Sequence, residues 1–278
     1  MVIAIPKLFW EMKVFHGEDS ITIPPYSVAR EVESRLKEIL PPKKLFSIYF
    51  DALKDSEGSF EQTSELWKGL GRKVIRVPDG RYIIVDPEHR PSSRITATIA
   101  VSALFCPIKA FIDYHSKTPI EVVDIKTYKN FLRGLLFHRR IFEVIGGNVE
   151  AEVGYSKLWG RVDSMKTFRL DGKRVLAILE AKSSYHESFF TKYYYAQAAI
   201  YGGILSNSLN DEFDVFVPVL VTPTGYTPTA YLTKSGLESL ERYVISAVTR
   251  LQVRKPKQLC YMCNARMTCI RLYLDLLA

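Results

Sequence analysis

The residues whose types and spacing could do chemistry lie in the middle of the chain: Asp163 in WGRVDSM, and Glu180 and Lys182 in RVLAILEAK. Side chains alternate on a strand, so Glu180 and Lys182 face one way and Ala181 the other. Asp171-Gly172 reads as a turn between the two segments, and such a hairpin brings Asp163 beside the pair. Two carboxylates there offer the hard oxygens that Mg2+ and Mn2+ prefer, and an adjacent lysine can orient a water or stabilise charge. That combination suits metal-assisted phosphodiester hydrolysis. E-x-K is also common as a plain solvated ion pair at a strand end, so the motif needs company.

Two further features supply it. His138, in GLLFHRRIFEV, precedes the strands, and its neutral imidazole could complete a metal shell, although a histidine on an apolar helix is more often structural. Gln197 and Tyr201, in YYYAQAAIYGG, are spaced i and i+4 and project from one helix face, where an amide and a phenol could contact a nucleotide or hold the lysine. A surface glutamine beside a core tyrosine is the plain reading of the same spacing.

Four cysteines form a second constellation. Cys260, Cys263 and Cys269 make C-x2-C-x5-C, and Cys106 is the remaining candidate for a fourth thiolate. A disulfide framework does not suit a chain of this size with so few cysteines. Clustering among the polar and basic residues of QLCYMCNARMTC argues against buried apolar cysteines. Zinc and an iron–sulfur cluster both accept four thiolates, and spacing leaves the choice open. One ligand standing far upstream of the others predicts a clasp between two ends of a domain.

These residues must be positioned by a folded scaffold. The chain is 47% hydrophobic and 24% charged, which excludes disorder as its main state. YSVAREVESRLKEIL predicts an amphipathic helix through Val28, Val32, Leu36 and Ile39 with Ser27 as N-cap. KVIRV and RYIIV around Pro78-Asp79-Gly80 predict a hairpin, and DPEHRPSSR a linker ending near Arg94. From Ile95 to His115 the pattern is helical with a bend or junction at Pro107. A second helix is expected over Tyr128 to Ile145, with Phe131, Leu135, His138 and Phe142 on one face and Gly146-Gly147-Asn148 as its stop. Strands, a helix through Gln197, the strand DVFVPVLVT and a last helix follow, the order of an α/β or α+β core with no internal repeat.

The net charge is +8, and nearly all of it belongs to residues 96–278, which carry 23 basic and 16 acidic side chains against 15 and 14 in residues 1–95. From Arg242 to Leu274 seven basic residues occur without an acid. Such an excess favours a polyanion as partner, although a charge run is often just a solvated face. No apolar run approaches the roughly 20 residues that span a bilayer, and the N-terminus shows no secretory signal, so a cytoplasmic chain with no membrane partner is expected.

The order Cys106, His138, Asp163, E-x-K at Glu180 to Lys182, Q-x3-Y at Gln197 to Tyr201, then C-x2-C-x5-C, resembles the RecB-like nucleases of the PD-(D/E)xK superfamily that carry an iron–sulfur cluster, most of all the CRISPR-associated exonucleases. The resemblance spans about residues 95–278. It implies an α/β fold with a restriction-endonuclease-like core, a mixed central sheet flanked by helices, and a C-terminal cluster-binding segment. An N-terminal α+β extension, residues 1–94, precedes that core and has no assigned role. It further implies that His138, Asp163, Glu180 and the carbonyl of Ala181 ligate Mg2+ or Mn2+, that Lys182 is the catalytic lysine, and that Gln197 and Tyr201 position DNA. The four cysteines would hold a [4Fe-4S] cluster. The expected activity is exonucleolytic hydrolysis of single-stranded DNA, processing spacer DNA together with the CRISPR integrase and other adaptation proteins; a homo-oligomer is compatible with it. The phrase FCPIK departs from the family's C-P-R pattern and weakens any phosphate contact at Lys109. The alternatives are a non-catalytic DNA-binding iron–sulfur subunit of the same complex and a zinc-stabilised interaction domain.

Overall fold

The computed structural model describes residues 3–4, 18–85, 94–115, 120–183, 191–251, 260 and 269–270. Its centre is a mixed sheet. Strands β6 (Asn148–Tyr155), β7 (Leu158–Leu170) and β8 (Lys173–Ala181) form an antiparallel meander. The turn between β7 and β8 is Asp171-Gly172 with φ of 49° and 77°. Two consecutive left-handed residues make a turn whose twist matches the flanking strands, which is why an Asp-Gly pair belongs there.

β8 then pairs in parallel with β9 (Val215–Thr222), and β10 (Gly225–Pro228) adds an antiparallel edge. Parallel neighbours need a crossover, and helix α7 (Thr191–Ser208) supplies it. β4 (Ile95–Thr96) pairs in parallel with Leu158 and Trp159 at the start of β7, on the edge opposite β6. The near-continuous apolar runs of β8 and β9 are explained by cover on both faces. Leu176, Ile178 and Phe216 pack with Ile200 and Ile204 of α7, with Ala100 and Leu104 of α4 (Ala97–Phe105), and with Leu240 and Val244 of α8 (Lys234–Thr249). Val175, Ala177, Leu179, Val217 and Val219 pack on the other side. The fold is α/β.

That second face is covered by helix α6 (Ile125–Ile145) and by helices from the first part of the chain: α1 (Tyr26–Ile39), α2 (Pro42–Ser56) and α3 (Phe60–Gly69). Leu36, Leu45 and Trp67 share one apolar cluster with Tyr128, Phe137 and Ile141 of α6 and with the sheet. Polar ties cross the same layer: Tyr128 donates its hydroxyl to Thr63 at 2.8 Å, Arg140 pairs with Asp55, and Lys129 pairs with Glu57. The hairpin β2 (Lys73–Arg76) and β3 (Tyr82–Val85) is completed by β5 (Ile120–Val123), a strand from beyond residue 94. The apolar core therefore runs across the expected boundary at residue 94.

Several local expectations are corrected. α1 begins at Tyr26 with Pro25 as N-cap and no side-chain cap, so Ser27 lies inside the helix. Ile95 and Thr96 are strand rather than helix, and the helical stretch after them breaks at Cys106 into α4 and α5 (Pro107–His115). α6 buries Tyr128, Leu132, Leu136, Phe137, Ile141, Phe142 and Ile145, whereas Phe131 is exposed. Of the face expected to be apolar, Phe142 is buried in the core while Phe131, Leu135 and His138 are turned toward the cavity described below. No helix among the described residues is long and apolar enough to cross a membrane.

Candidate active site

The β7–β8 ladder ends at Ser164 opposite Leu179, and just beyond it the two strands part. The backbone pairing that a further step would supply is replaced by a side chain: Ala181 donates its N–H to Asp163 Oδ2 at 2.7 Å. The alternation of β7 also breaks here, since Val162 and Met165 both pack into the core beneath α7. On the other edge, the β6 ladder skips the step between Val149 and Ala151, where Glu150 has φ of 54°. A sheet that loses its regular hydrogen bonds at one point can aim side chains there that a flat strand would not.

His138, from α6, meets the same point. Its Nε2 lies 3.0 Å from Asp163 Oδ1. Burial pulls the imidazole pKa down, but the Asp163 hydrogen bond and charge, reinforced by Glu150 and Glu180, outweigh that, so it lies above its ordinary value. Asp163 thus bridges the helix and the neighbouring strand.

Glu180 is 1% exposed. Lys182 Nζ stands 2.5 Å from its Oε1 as an ion pair, and Oε2 has no hydrogen-bond partner among the described residues. Burial, then the negative charge of Asp163, pushes the Glu180 carboxyl up to about 7 against the opposing pull of Lys182. Burial lowers the Lys182 ammonium in turn, but the charges of Glu180 and Asp163 more than compensate and its pKa is raised. The Tyr194 ring lies 5.5 Å from the same ammonium. Tyr201 is 3% exposed, and burial together with the Glu180 charge holds its phenol neutral at any ordinary pH. Gln197 donates its amide to the Tyr201 hydroxyl at 3.5 Å. Tyr201 fits only because residue 160 is glycine: a Cβ there would lie 2.3 Å from its ring.

Apart from Tyr194, the residues of this group line one cavity of about 930 Å³. His138, Asp163, Glu180, Ala181, Lys182, Gln197 and Tyr201 are thus brought together from β7, β8, α6 and α7. Glu150, Tyr194 and Trp159 were not singled out from sequence; the acidic strand VEAEV and the Trp-Gly-Arg just before Asp163 were the available signals. Arg72 and Ile84, from the first 94 residues, also line the cavity. Among the described residues, no group of three His, Cys, Asp or Glu side chains is gathered in metal-holding geometry. His138 and Asp163 are satisfied by each other.

The cysteines are only partly in view. Cys106 ends α4 and, with Cys269 and Leu251, packs against Ile108 and Ile112, so the first and last cysteines share one small apolar cluster. Cys106, Cys260 and Cys269 are all half-buried, and Cys263 lies outside the described residues. Lys109 is occupied locally: its ammonium is 2.6 Å from Asp113, which also accepts from Ser102 at 2.8 Å.

No protein-family model matches the chain, and no curated protein matches it. Among solved structures the chain is similar to one described as "Crystal structure of SSO0001", at 14% identity over 66% of this chain and 89% of that one, with a TM-score of 0.41.

Proposed function

We propose that this chain is a metal-dependent nuclease of the PD-(D/E)xK type, acting on single-stranded DNA ends and stabilised by a [4Fe-4S] cluster. The observation that carries the reading is the parting of β7 and β8, which delivers Asp163, Glu180 and Lys182 to one cavity with His138, Gln197 and Tyr201 around them.

The donor set fits a divalent ion in kind. Glu180 is a buried carboxylate whose Oε1 is paired with the Lys182 ammonium and whose Oε2 has no hydrogen-bond partner among the described residues, which leaves one oxygen open to a cation. Asp163 and Glu180, with His138 and the Ala181 carbonyl, would hold the ion. Mg2+ or Mn2+ supplies the Lewis acidity that phosphodiester hydrolysis needs. Lys182, with its raised pKa, remains an ammonium and so stabilises developing charge and orients the attacking water instead of accepting a proton. Tyr201, neutral and oriented by Gln197, offers an O–H toward the strand. Cys106, Cys260, Cys263 and Cys269 would ligate the cluster, and the packing of both Cys106 and Cys269 against Ile108 and Ile112 supports that grouping. The place we assign to the activity is trimming of spacer DNA alongside the CRISPR integrase and other adaptation proteins.

One observation favours a second reading, a non-catalytic DNA-binding subunit: His138 and Asp163 are paired with each other and not arranged around a common point. Incubating the full chain with labelled single-stranded DNA separates the two. Degradation that requires Mg2+ or Mn2+ and stops with chelator supports the nuclease; salt-dependent binding with no cleavage supports the subunit.

A further inference from the structure

Helix α6 carries one aromatic side chain that the candidate chemistry leaves unused. Phe131 is 37% exposed, whereas Phe137 and Phe142 of the same helix are buried. It does not stand on an outer face. Phe131, Gly134, Leu135 and His138, spaced i, i+3, i+4 and i+7, share one stripe of α6, and all four line the cavity. A large apolar ring left open to solvent inside a substrate cavity is a surface for something flat.

Its place along the helix says which part of a substrate it would meet. His138 ends the stripe at the acidic centre, 3.0 Å from Asp163. Seven residues of helix separate it from Phe131, about 10 Å along the axis. A stacked strand rises about 3.4 Å per nucleotide, so the ring stands about three nucleotides from the centre, and fewer where the strand is stretched. The β2–β3–β5 sheet walls that end of the cavity. Tyr82 of β3 stacks on Tyr128 of α6, near Phe131 in the chain, with ring centres 4.2 Å apart. Ile84 and Glu121, partners in register across β3 and β5, both line the cavity. A phosphate gains nothing from an apolar ring, whereas the face of a base does. Neighbouring base pairs cover that face in a duplex, so only an unpaired base can offer it.

We infer that Phe131 stacks on a base of the single strand a few nucleotides from the cleavage point, and so makes the cavity selective for unpaired nucleic acid. Phe131 is a binding residue, remote from the reacting atoms. This inference rests on the nucleic-acid reading above, and its test reads binding alone.

The measurement is fluorescence anisotropy of the full chain in EDTA, across a range of salt concentrations, with two fluorescein-labelled probes of equal length: a single-stranded DNA and the same strand made of abasic nucleotides throughout. Phe131→Ala is expected to weaken binding of the normal strand about tenfold, with an unchanged slope of log affinity against log salt because no charge is removed. On the abasic strand, parent and variant are expected to bind alike. Phe131→Leu, which keeps an apolar side chain without a ring, is expected to lose most of the same affinity. If both variants, folded by circular dichroism, bind the normal strand within about twofold of the parent, or lose affinity equally on the two probes, the stacking role is wrong and the nuclease reading stands. If the parent itself shows no salt-dependent binding of either probe, both fall together.

Discussion

At the scale of single residues, the site is governed by one carboxylate that the fold buries beside a single lysine ammonium. Glu180 was legible in the sequence as part of E-x-K, and so was its side-by-side placement with Lys182, because strand alternation fixes it. Its burial was not legible, since that depends on Tyr201 closing over the strand from α7 and on Gly160 making room for the ring. The raised pKa has a consequence for the metal-free protein. A carboxyl that titrates near 4.5 when unfolded and at about 7 when folded favours the folded state at low pH, and that stability is lost as pH rises through the folded value. The swing is on the order of 3 kcal/mol. His138 shifts stability in the same sense, so comparison with a variant is needed to isolate Glu180. Thermal melts of Glu180→Gln and the parent in chelator are expected to differ most above pH 7, with the variant the more stable, and to converge near pH 4.5. A constant difference across that range would contradict the burial argument.

At the scale of elements, periodicity gave the helices and strands but misjudged how α6 is turned. The sequence stripe Phe131, Leu135, His138 and Phe142 is apolar enough to pass for a core face. The helix instead buries Tyr128, Leu132, Phe137 and Ile141, because it is covered by α2 and α3 as well as by the sheet. A reading that treats the first 94 residues as an appendage has no way to know of that second cover. The same packing makes a prediction. Phe137 is fully buried and meets Tyr49 of α2 edge-on, with ring centres 6.1 Å apart. Phe137→Ala is expected to cost about 3–5 kcal/mol in denaturant unfolding. A loss under about 1 kcal/mol would mean that the helical layer is not built as described. Since α6 carries His138, the variant should also lower any nuclease activity without touching a site residue.

At the scale of the whole molecule, charge and cysteines fall on the same part of the chain. The excess of basic residues lies beyond residue 95, and the acid-free stretch from Arg242 to Leu274 contains three of the four cysteines. Cys106 and Cys269 meet at one small cluster beside α5, as a clasp between distant parts of the chain requires. Anaerobically purified protein is expected to be brown with broad visible absorbance, and Cys263→Ala to lose both colour and resistance of its C-terminal segment to limited proteolysis. A colourless protein with stoichiometric zinc would replace the cluster with a zinc site. The order of motifs was readable from sequence; the cavity that unites them was not, because its walls come from β3, α6, the meander and α7 together. The most direct test of the central claim is a side-by-side assay of the parent and Lys182→Ala on end-labelled single-stranded DNA with Mn2+. The account predicts metal-dependent degradation by the parent and at least a hundredfold loss in the folded variant, on the order of what one charge-stabilising group contributes. Equal cleavage by the two proteins, or none by the parent, would contradict it.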